Sequence, residues 1–249
     1  MQKEILTRMT THSNSSKKIA IIITAAGSST RMGGSVKKEY LPLGNGTVLS
    51  ASVNAFEAAS KNKTNPFNIS HLIITVPKNG EAQAAKAVES CKNASQLEFV
   101  QGSGTRQKSI FNALEFIKKS AVQPDYVLIH DGARPFVSVA VIQNVIDGAT
   151  KYEAAAPGIN PTDTIKEIDQ NGFIVKHLER SQLTAIQTPQ GFVFEKLYEA
   201  HKQAAKDNRE YTDDSEIWGK YTGTVKLVAG DPKNIKITYP GDLEKGEAK

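Results

Sequence analysis

Cysteine is almost absent from this chain: Cys91 stands alone among 249 residues, so no disulfide can form within it. The fold must therefore rest on a buried core, for which the length suffices, and a reducing compartment is implied, the cytoplasm, with a plastid as the alternative. Histidine is also sparse, and the five present are scattered without ligand spacing, which argues against a zinc centre. No apolar run approaches the length of a membrane span. Aromatic residues make up 7% and do not interleave with a basic stripe, so the formal net charge of +5 points to small anionic substrates rather than nucleic acid. The hydrophobic share of 39% and charged share of 23% are those of an ordinary globular protein. Residues 1–18 are polar and rich in Ser, Thr and Lys, and read as a disordered extension; Glu4 weakens a transit-peptide reading.

Familiar catalytic signatures are missing too. A P-loop needs four residues between its glycine and Gly-Lys-Ser/Thr, but five separate Gly27 from Gly33, and Gly34-Ser35 follows. The dinucleotide fingerprint fails at Ser29 and Met32, and again at Gln107 after Gly102-Ser103-Gly104. There is no G-x-S-x-G elbow, no Cys/His pairing and no carboxylate pair placed for glycoside hydrolysis.

What the chain does have is concentrated in residues 19–43. Ile19 to Ile23 read as a fully buried strand that empties into the small residues Ala25, Ala26, Gly27, Ser28 and Ser29, followed by Arg31, Lys37 and Lys38. Small side chains leave main-chain N–H groups open to an anion, and the cations add fixed positive charge. An ordinary strand-to-helix turn with surface cations would read the same way.

Downstream, strands are expected over 71–76, 97–101 and 126–130, alternating with helices over 81–91, 106–119 and 138–152; Thr47 caps an earlier helix bearing Val48, Val53, Phe56 and Ala59. This alternation predicts an α/β protein with a doubly wound, mostly parallel sheet, its strand-end loops on one rim. The pattern breaks at 163–187, where two β-rich stretches bracket Asp169-Gln170-Asn171-Gly172, a hairpin turn. Such a hairpin has little core of its own and is expected to pack on a second subunit, or back on its own domain. Helices over 194–206 and 212–220, strands over 225–228 and 235–238 and a short terminal helix complete a single domain over 19–249.

Further polar groups fall on the expected rim. Residues 102–109 open a helix whose N–H groups favour an anion. Asp131 and Arg134 follow a buried strand, an arrangement suited to a metal ion or hydroxyl beside a phosphate, or to a local ion pair. Lys236 lies between Ile235 and Ile237 and points either to the rim or to solvent. Arg180 lies just beyond the hairpin, and Thr188-Pro189-Gln190-Gly191 closes that segment. Phosphate-binding backbone, several cations and one carboxylate are the equipment of phosphoryl or nucleotidyl transfer.

Taken in order, Ala-Ala-Gly-Ser-Ser-Thr-Arg-Met, Lys-Lys-Glu-Tyr-Leu, Gly-Ser-Gly-Thr-Arg-Gln-Lys-Ser, His-Asp-Gly-Ala-Arg-Pro-Phe, Asp-Thr-Ile-Lys, Glu-Arg-Ser, Gln-Thr-Pro-Gln-Gly-Phe, Thr-Asp-Asp and Asn-Ile-Lys-Ile-Thr resemble the 2-C-methyl-D-erythritol 4-phosphate cytidylyltransferase family over nearly the whole chain after Lys18. The resemblance implies a Rossmann-like nucleotidyltransferase that joins CTP to the sugar phosphate with Mg²⁺, the metal carried mainly by the CTP phosphates, and releases pyrophosphate. It implies that Arg31 and Lys38 stabilise the transition state and that Arg180 and Lys236 position the sugar phosphate. Ala25, Ala26, Gly27, Gly102, Ser103, Gly104, Arg106 and Ser109 would surround the nucleotide, and Asp131, Arg134, Thr164, Thr188 and Thr212 the polyol phosphate. The hairpin, about 161–185, would be the arm of a homodimer, with Arg180 serving the neighbouring site. Thr24, Ser29 and Lys37 depart from the family pattern, and Lys37 adjoins the aligned Lys38. Ribitol-5-phosphate cytidylyltransferase is the nearest rival family, and a silent nucleotide-binding regulator a more distant one. Asp163-Thr164-Ile165-Lys166 and Glu179-Arg180 look more like the methylerythritol enzymes.

Overall fold

β1 (Lys18–Thr24) is the spine of the fold, and in the computed structural model, which describes residues 16–27, 29, 37–207 and 209–247, it is covered on both faces. Its side chains alternate: Ile19, Ile21 and Ile23 enter one core, Ala20 and Ile22 the other. Two helical layers follow from that. The strand also takes in Lys18, and Lys17 accepts a backbone bond from Asn68, so the ordered fold begins slightly before the boundary expected at 19. The rest of the expected N-terminal extension, 1–15, lies outside the described residues.

After β1 come a two-strand turn, β2 (Pro42–Leu43) and β3 (Gly46–Thr47), then α1 (Val48–Ser60), β4 (Asn68–Val76), α2 (Glu81–Ala87), β5 (Glu98–Gln101), α3 (Arg106–Lys118), β6 (Tyr126–Asp131) and α4 (Val139–Tyr152). The chain continues through β7 (Ala154–Ile159), β8 (Lys166–Ile168), β9 (Ile174–His177), β10 (Ala185–Ile186), β11 (Gln190–Val193), α5 (Phe194–Ala204), α6 (Asp214–Tyr221), β12 (Lys226–Ala229) and α7 (Asp242–Glu247). The main sheet runs β10-β7-β11-β6-β1-β4-β5, with β12 also on β7. β6, β1, β4 and β5 are mutually parallel, as is β12 to β7; β11 and β10 run antiparallel to their neighbours. The doubly wound, mostly parallel reading holds.

Local chemistry sets the helix starts. Thr47 and Ser50 form a reciprocal capping box on α1, and Thr105, Ser138 and Asp213 cap α3, α4 and α6 through their side chains. α6 thus starts at Asp214, two residues later than expected, because Asp213 takes the cap. α2 stops at Ala87, short of Cys91.

Three strands of the main sheet were not anticipated, nor was the short β2–β3 pair. β7 reads Ala-Ala-Ala-Pro-Gly-Ile, poor β-formers, yet its small side chains let α4 lie close: a Cβ on Gly148 would come 2.7 Å from that of Ala155. Tertiary packing overrides propensity there. β10 and β11 are two and four residues long, too short to show a periodicity. Conversely, residues 235–238 do not form a strand; the segment is anchored by Ile237, which is buried and whose N–H bonds the Ala133 carbonyl at 2.8 Å.

The expected hairpin is present but shorter than 161–185. β8 and β9 pair antiparallel in a sheet of their own, closed by Asp169, whose Oδ1 accepts from the N–H groups of Asn171 and Phe173 at 2.9 Å each, and by Gly172 at φ +86°. Ala185 already belongs to the main sheet. The hairpin's apolar residues face solvent, Phe173 70% and Ile174 56% exposed.

Candidate active site

Three strand ends lie level on the carboxyl rim. The register sets Thr24 of β1 opposite Thr75 of β4 on one side and opposite Asp131 of β6 on the other. The strand order reverses at β1, which is where open α/β sheets place their ligands. A cleft of about 570 Å³ opens there, lined by Ala26, Gly27 and Ser29 after β1, Lys38 and Glu39 beyond, the 103–106 turn and Ser109 of α3, Asp131, and Lys236 with Thr238.

One wall is built from small residues for a steric reason. A Cβ on Gly102 would sit 2.5 Å from the Ala26 Cβ and 2.8 Å from Ser109 Oγ, so the two loops can meet only because position 102 is glycine. Ser109 Oγ accepts from the Ser103 N–H at 3.0 Å and donates to the Thr105 carbonyl at 2.8 Å, fixing the turn that opens α3. Gly104 has open space beside it and lines the cleft, while Ala25 is buried behind it with its N–H on the Thr75 carbonyl at 3.1 Å. The two adjacent lysines part company. Lys38 is buried and lines the cleft, whereas Lys37 donates to the Gly27 carbonyl and holds the loop. Burial lowers the Lys37 pKa, with Glu39 opposing.

Asp131 is the electrostatic centre of the cleft. Lys236 Nζ lies 2.8 Å from its Oδ2, Arg134 Nε 3.6 Å from Oδ2 and Arg106 Nε 3.5 Å from Oδ1. Burial alone would raise its carboxyl, but Arg106, Lys236 and Arg134 hold it well below the usual carboxylate range. Three cations thus converge on one carboxylate, and two of them, Arg106 and Lys236, line the cleft where a phosphate could meet them. Arg134 is itself fixed by an Nη1 bond to the Asn234 carbonyl at 2.7 Å.

His130, next to this carboxylate, is neutral. Its Nε2 faces the Arg134 carbonyl at 3.1 Å, an acceptor only, so Nε2 carries the proton. Its Nδ1 then accepts from the Thr188 hydroxyl at 3.1 Å, and that hydroxyl accepts the Asp131 N–H at 3.0 Å. Full burial pushes the His130 pKa down to about 4, against the pull of Asp131. Thr188 is thus a buried prop for Asp131, not a cleft-lining side chain.

Of the residues expected at the site, Ala26, Gly27, Ser103, Gly104, Arg106, Ser109, Lys38, Asp131 and Lys236 line the cleft, and Gly102, Arg134 and Thr188 stand directly behind it. Thr164, Arg180 and Thr212 do not line it: Arg180 is exposed and donates to the Thr162 carbonyl at 3.1 Å, and Thr212 is turned to Glu216. Arg31 lies outside the described residues. Thr105, in the expected 102–109 turn, also lines the cleft, and Glu39, Thr75, Glu210 and Thr238 line it without having been singled out. Thr75 carries no local signal, being the penultimate residue of a strand; only the ladder register puts it at the rim.

A switch-point cleft combining phosphate-accessible backbone with clustered cations, on a doubly wound sheet, defines an enzyme of the nucleotidyltransferase class. The family model for 2-C-methyl-D-erythritol 4-phosphate cytidylyltransferase (IspD) matches residues 19–249. The chain belongs to that family. It is 40% identical over 225 residues to the 2-C-methyl-D-erythritol 4-phosphate cytidylyltransferase of Clostridium beijerinckii, covering 90% of this chain and 95% of that protein. It is 38% identical over 225 residues to the same-named protein of Caldanaerobacter subterraneus, with 90% and 95% covered. Among solved structures, 4-diphosphocytidyl-2C-methyl-D-erythritol synthase from Anaerococcus prevotii superposes with a TM-score of 0.76 at 29% identity, covering 93% of this chain and 97% of that one.

Proposed function

We propose that the protein transfers the cytidylyl group of CTP to the phosphate of 2-C-methyl-D-erythritol 4-phosphate, giving 4-diphosphocytidyl-2-C-methyl-D-erythritol and pyrophosphate. A phosphate oxygen of the sugar attacks the α-phosphorus, the bond from that phosphorus to the α–β bridging oxygen breaks, and pyrophosphate leaves in line; no enzyme nucleophile takes part. The observation that carries this reading is the Asp131 cluster, three cations on one carboxylate, in one cleft with the small residues after β1 and the 103–106 turn. Family membership supports the choice of substrates.

In this reading the small-residue wall, with Ala26, Gly27 and the 102–109 turn, receives the nucleotide, and Lys38 and Arg31 neutralise charge developing at the α-phosphate. Lys236, Asp131 and Arg134 hold the sugar phosphate. Mg²⁺ would arrive on the CTP phosphates. Asp131, engaged by three cations, is poorly suited to be a ligand, and the described residues hold no group of three or more His, Cys, Asp or Glu able to bind a metal. The exposed apolar hairpin of β8 and β9 packs on a second copy of the chain, and Arg180 beside it completes the neighbour's site.

The test is an assay with CTP, Mg²⁺ and either 2-C-methyl-D-erythritol 4-phosphate or ribitol 5-phosphate, following pyrophosphate. Release with the first acceptor is expected. Release with neither overturns the enzyme reading, and release with ribitol 5-phosphate alone moves the substrate to the sister family.

A further inference from the structure

Arg106 is held from behind the cleft as well as from within it. Its Nη1 donates to Asp214 Oδ2 at 2.7 Å while its Nε faces Asp131, so one guanidinium ties a carboxylate outside the cleft to the one inside. Burial would lower the Arg106 pKa, but Asp214 and Asp131 more than offset this and raise it. Asp214 is fully buried at the start of α6, where the helix favours an anion. Burial pushes its carboxyl up, yet Arg106 and His201 hold it low, so it is ionised.

The second oxygen of Asp214, Oδ1, lies 3.0 Å from His201 Nε2. An ionised carboxylate only accepts, so Nε2 carries the ring proton. The other nitrogen, Nδ1, is buried without a hydrogen-bond partner. Leaving a buried nitrogen unpaired costs stability, which an apolar ring of the same size would avoid. The ring lies nearly parallel to Phe111, with centroids 6.3 Å apart and planes 10° apart, and Phe111 belongs to the helix that Arg106 opens. What histidine supplies here is therefore the Nε2–H bond at a fixed orientation.

We infer that His201 is a positioning residue: through Asp214 it fixes the Arg106 guanidinium, and through Arg106 it fixes the Asp131 carboxylate that orients Lys236. His201 does not line the catalytic cleft. The chain His201, Asp214, Arg106, Asp131, Lys236 alternates donor and acceptor, so each member restricts the next. Its kinetic consequence rests on the proposed reaction, its structural one does not.

The experiment compares wild type with His201→Gln, which keeps an N–H at comparable reach, and His201→Leu, which fills the space without one. With folding verified by thermal unfolding, His201→Leu is expected to raise KM for the sugar phosphate about 10-fold through displaced cations, with kcat changed less and His201→Gln restoring most of the loss. The Arg106 Nε–H resonance, sharp and slowly exchanging in wild type and His201→Gln, is expected to be lost in His201→Leu. If His201→Leu does not fold, His201→Asn, whose amide is too short to reach Asp214, takes its place. Wild-type KM with an intact Arg106 signal in His201→Leu overturns the inference, as does equal impairment of the Leu and Gln variants, which would mark simple packing. If wild type itself turns over no substrate, the proposed reaction fails while the resonance comparison still decides the role of His201.

Discussion

Lys236 and Asp131, 105 residues apart in sequence, meet at 2.8 Å although the segment carrying the lysine is not a strand. The contact is made by an irregular stretch clipped to β6's following turn through Ile237 and Ala133. In the proposed reaction this carboxylate acts on phosphate only through the cations around it. Its role is to aim cations.

Replacing Asp131 by Asn should destabilise the fold by about 3 kcal/mol, because Lys236 and Arg134 lose their counter-charge while Arg106 keeps only Asp214. The pH dependence has a definite sign. A carboxyl held below its ordinary 3.8 contributes stability that is complete above that value and is lost as pH falls below it. Urea unfolding of wild type should therefore weaken from about pH 4 downward, with a shallower slope in Asp131→Asn. Parallel slopes would contradict the depressed carboxyl.

His130 should titrate near 4 rather than near 6.5, since burial opposes its charged form. The unfolded chain takes the proton first, so this residue's contribution is present above 6.5 and declines as pH drops from there toward 4. Ring carbon shifts followed by NMR decide the point; a midpoint at 6.5 would refute the depression by burial.

Lys38→Ala should lower kcat by about 100-fold or more with a much smaller change in KM for CTP, as expected for charge met only in the transition state. Lys37→Ala should act more mildly, through the loop carbonyl of Gly27 that it holds. Steady-state kinetics on both variants separates the two neighbours, and the opposite ranking would transfer the role to Lys37.

Gly102→Ala forces a methyl group against Ala26 and Ser109. The expected outcome is a loss of roughly 1–3 kcal/mol in stability and weaker CTP binding, read by thermal unfolding and calorimetry. Unchanged binding would detach this wall from the nucleotide.

Mixing inactive Lys38→Ala and Arg180→Ala proteins should restore activity if Arg180 completes the neighbour's site, since a mixed dimer holds one site with both residues intact. Phe173→Asp should abolish both the rescue and the dimer in sedimentation. Rescue that fails in a demonstrably mixed dimer would place Arg180 in its own subunit's site.

Much of this was legible from the chain. Ile19 to Ile23, the Thr47 cap and Asp131 at a strand end carry strong local signals, because periodicity, capping and strand-end polarity are properties of short windows. β7 was not legible, since alanine there serves the close approach of α4 and no local preference reports it. His201 and Asp214 sit on different helices and look like surface polar residues in isolation. Only the packing of α5 on α6 turns them into a pair. Lys236 was legible as a candidate, but the strand expected over 235–238 does not form, because the contacts that hold the segment are made by Asn234 and Ile237 to distant loops.

The Asp131 cluster draws on widely separated stretches of chain: the start of α3, the end of β6, Thr188, the start of α6 and the 234–237 segment. It therefore works as a stitch through the whole molecule. Turnover should therefore vanish at the same denaturant concentration as the last sheet signal. A chain cut after Ala229 would keep every strand of the main sheet and still lose the thread that closes the knot.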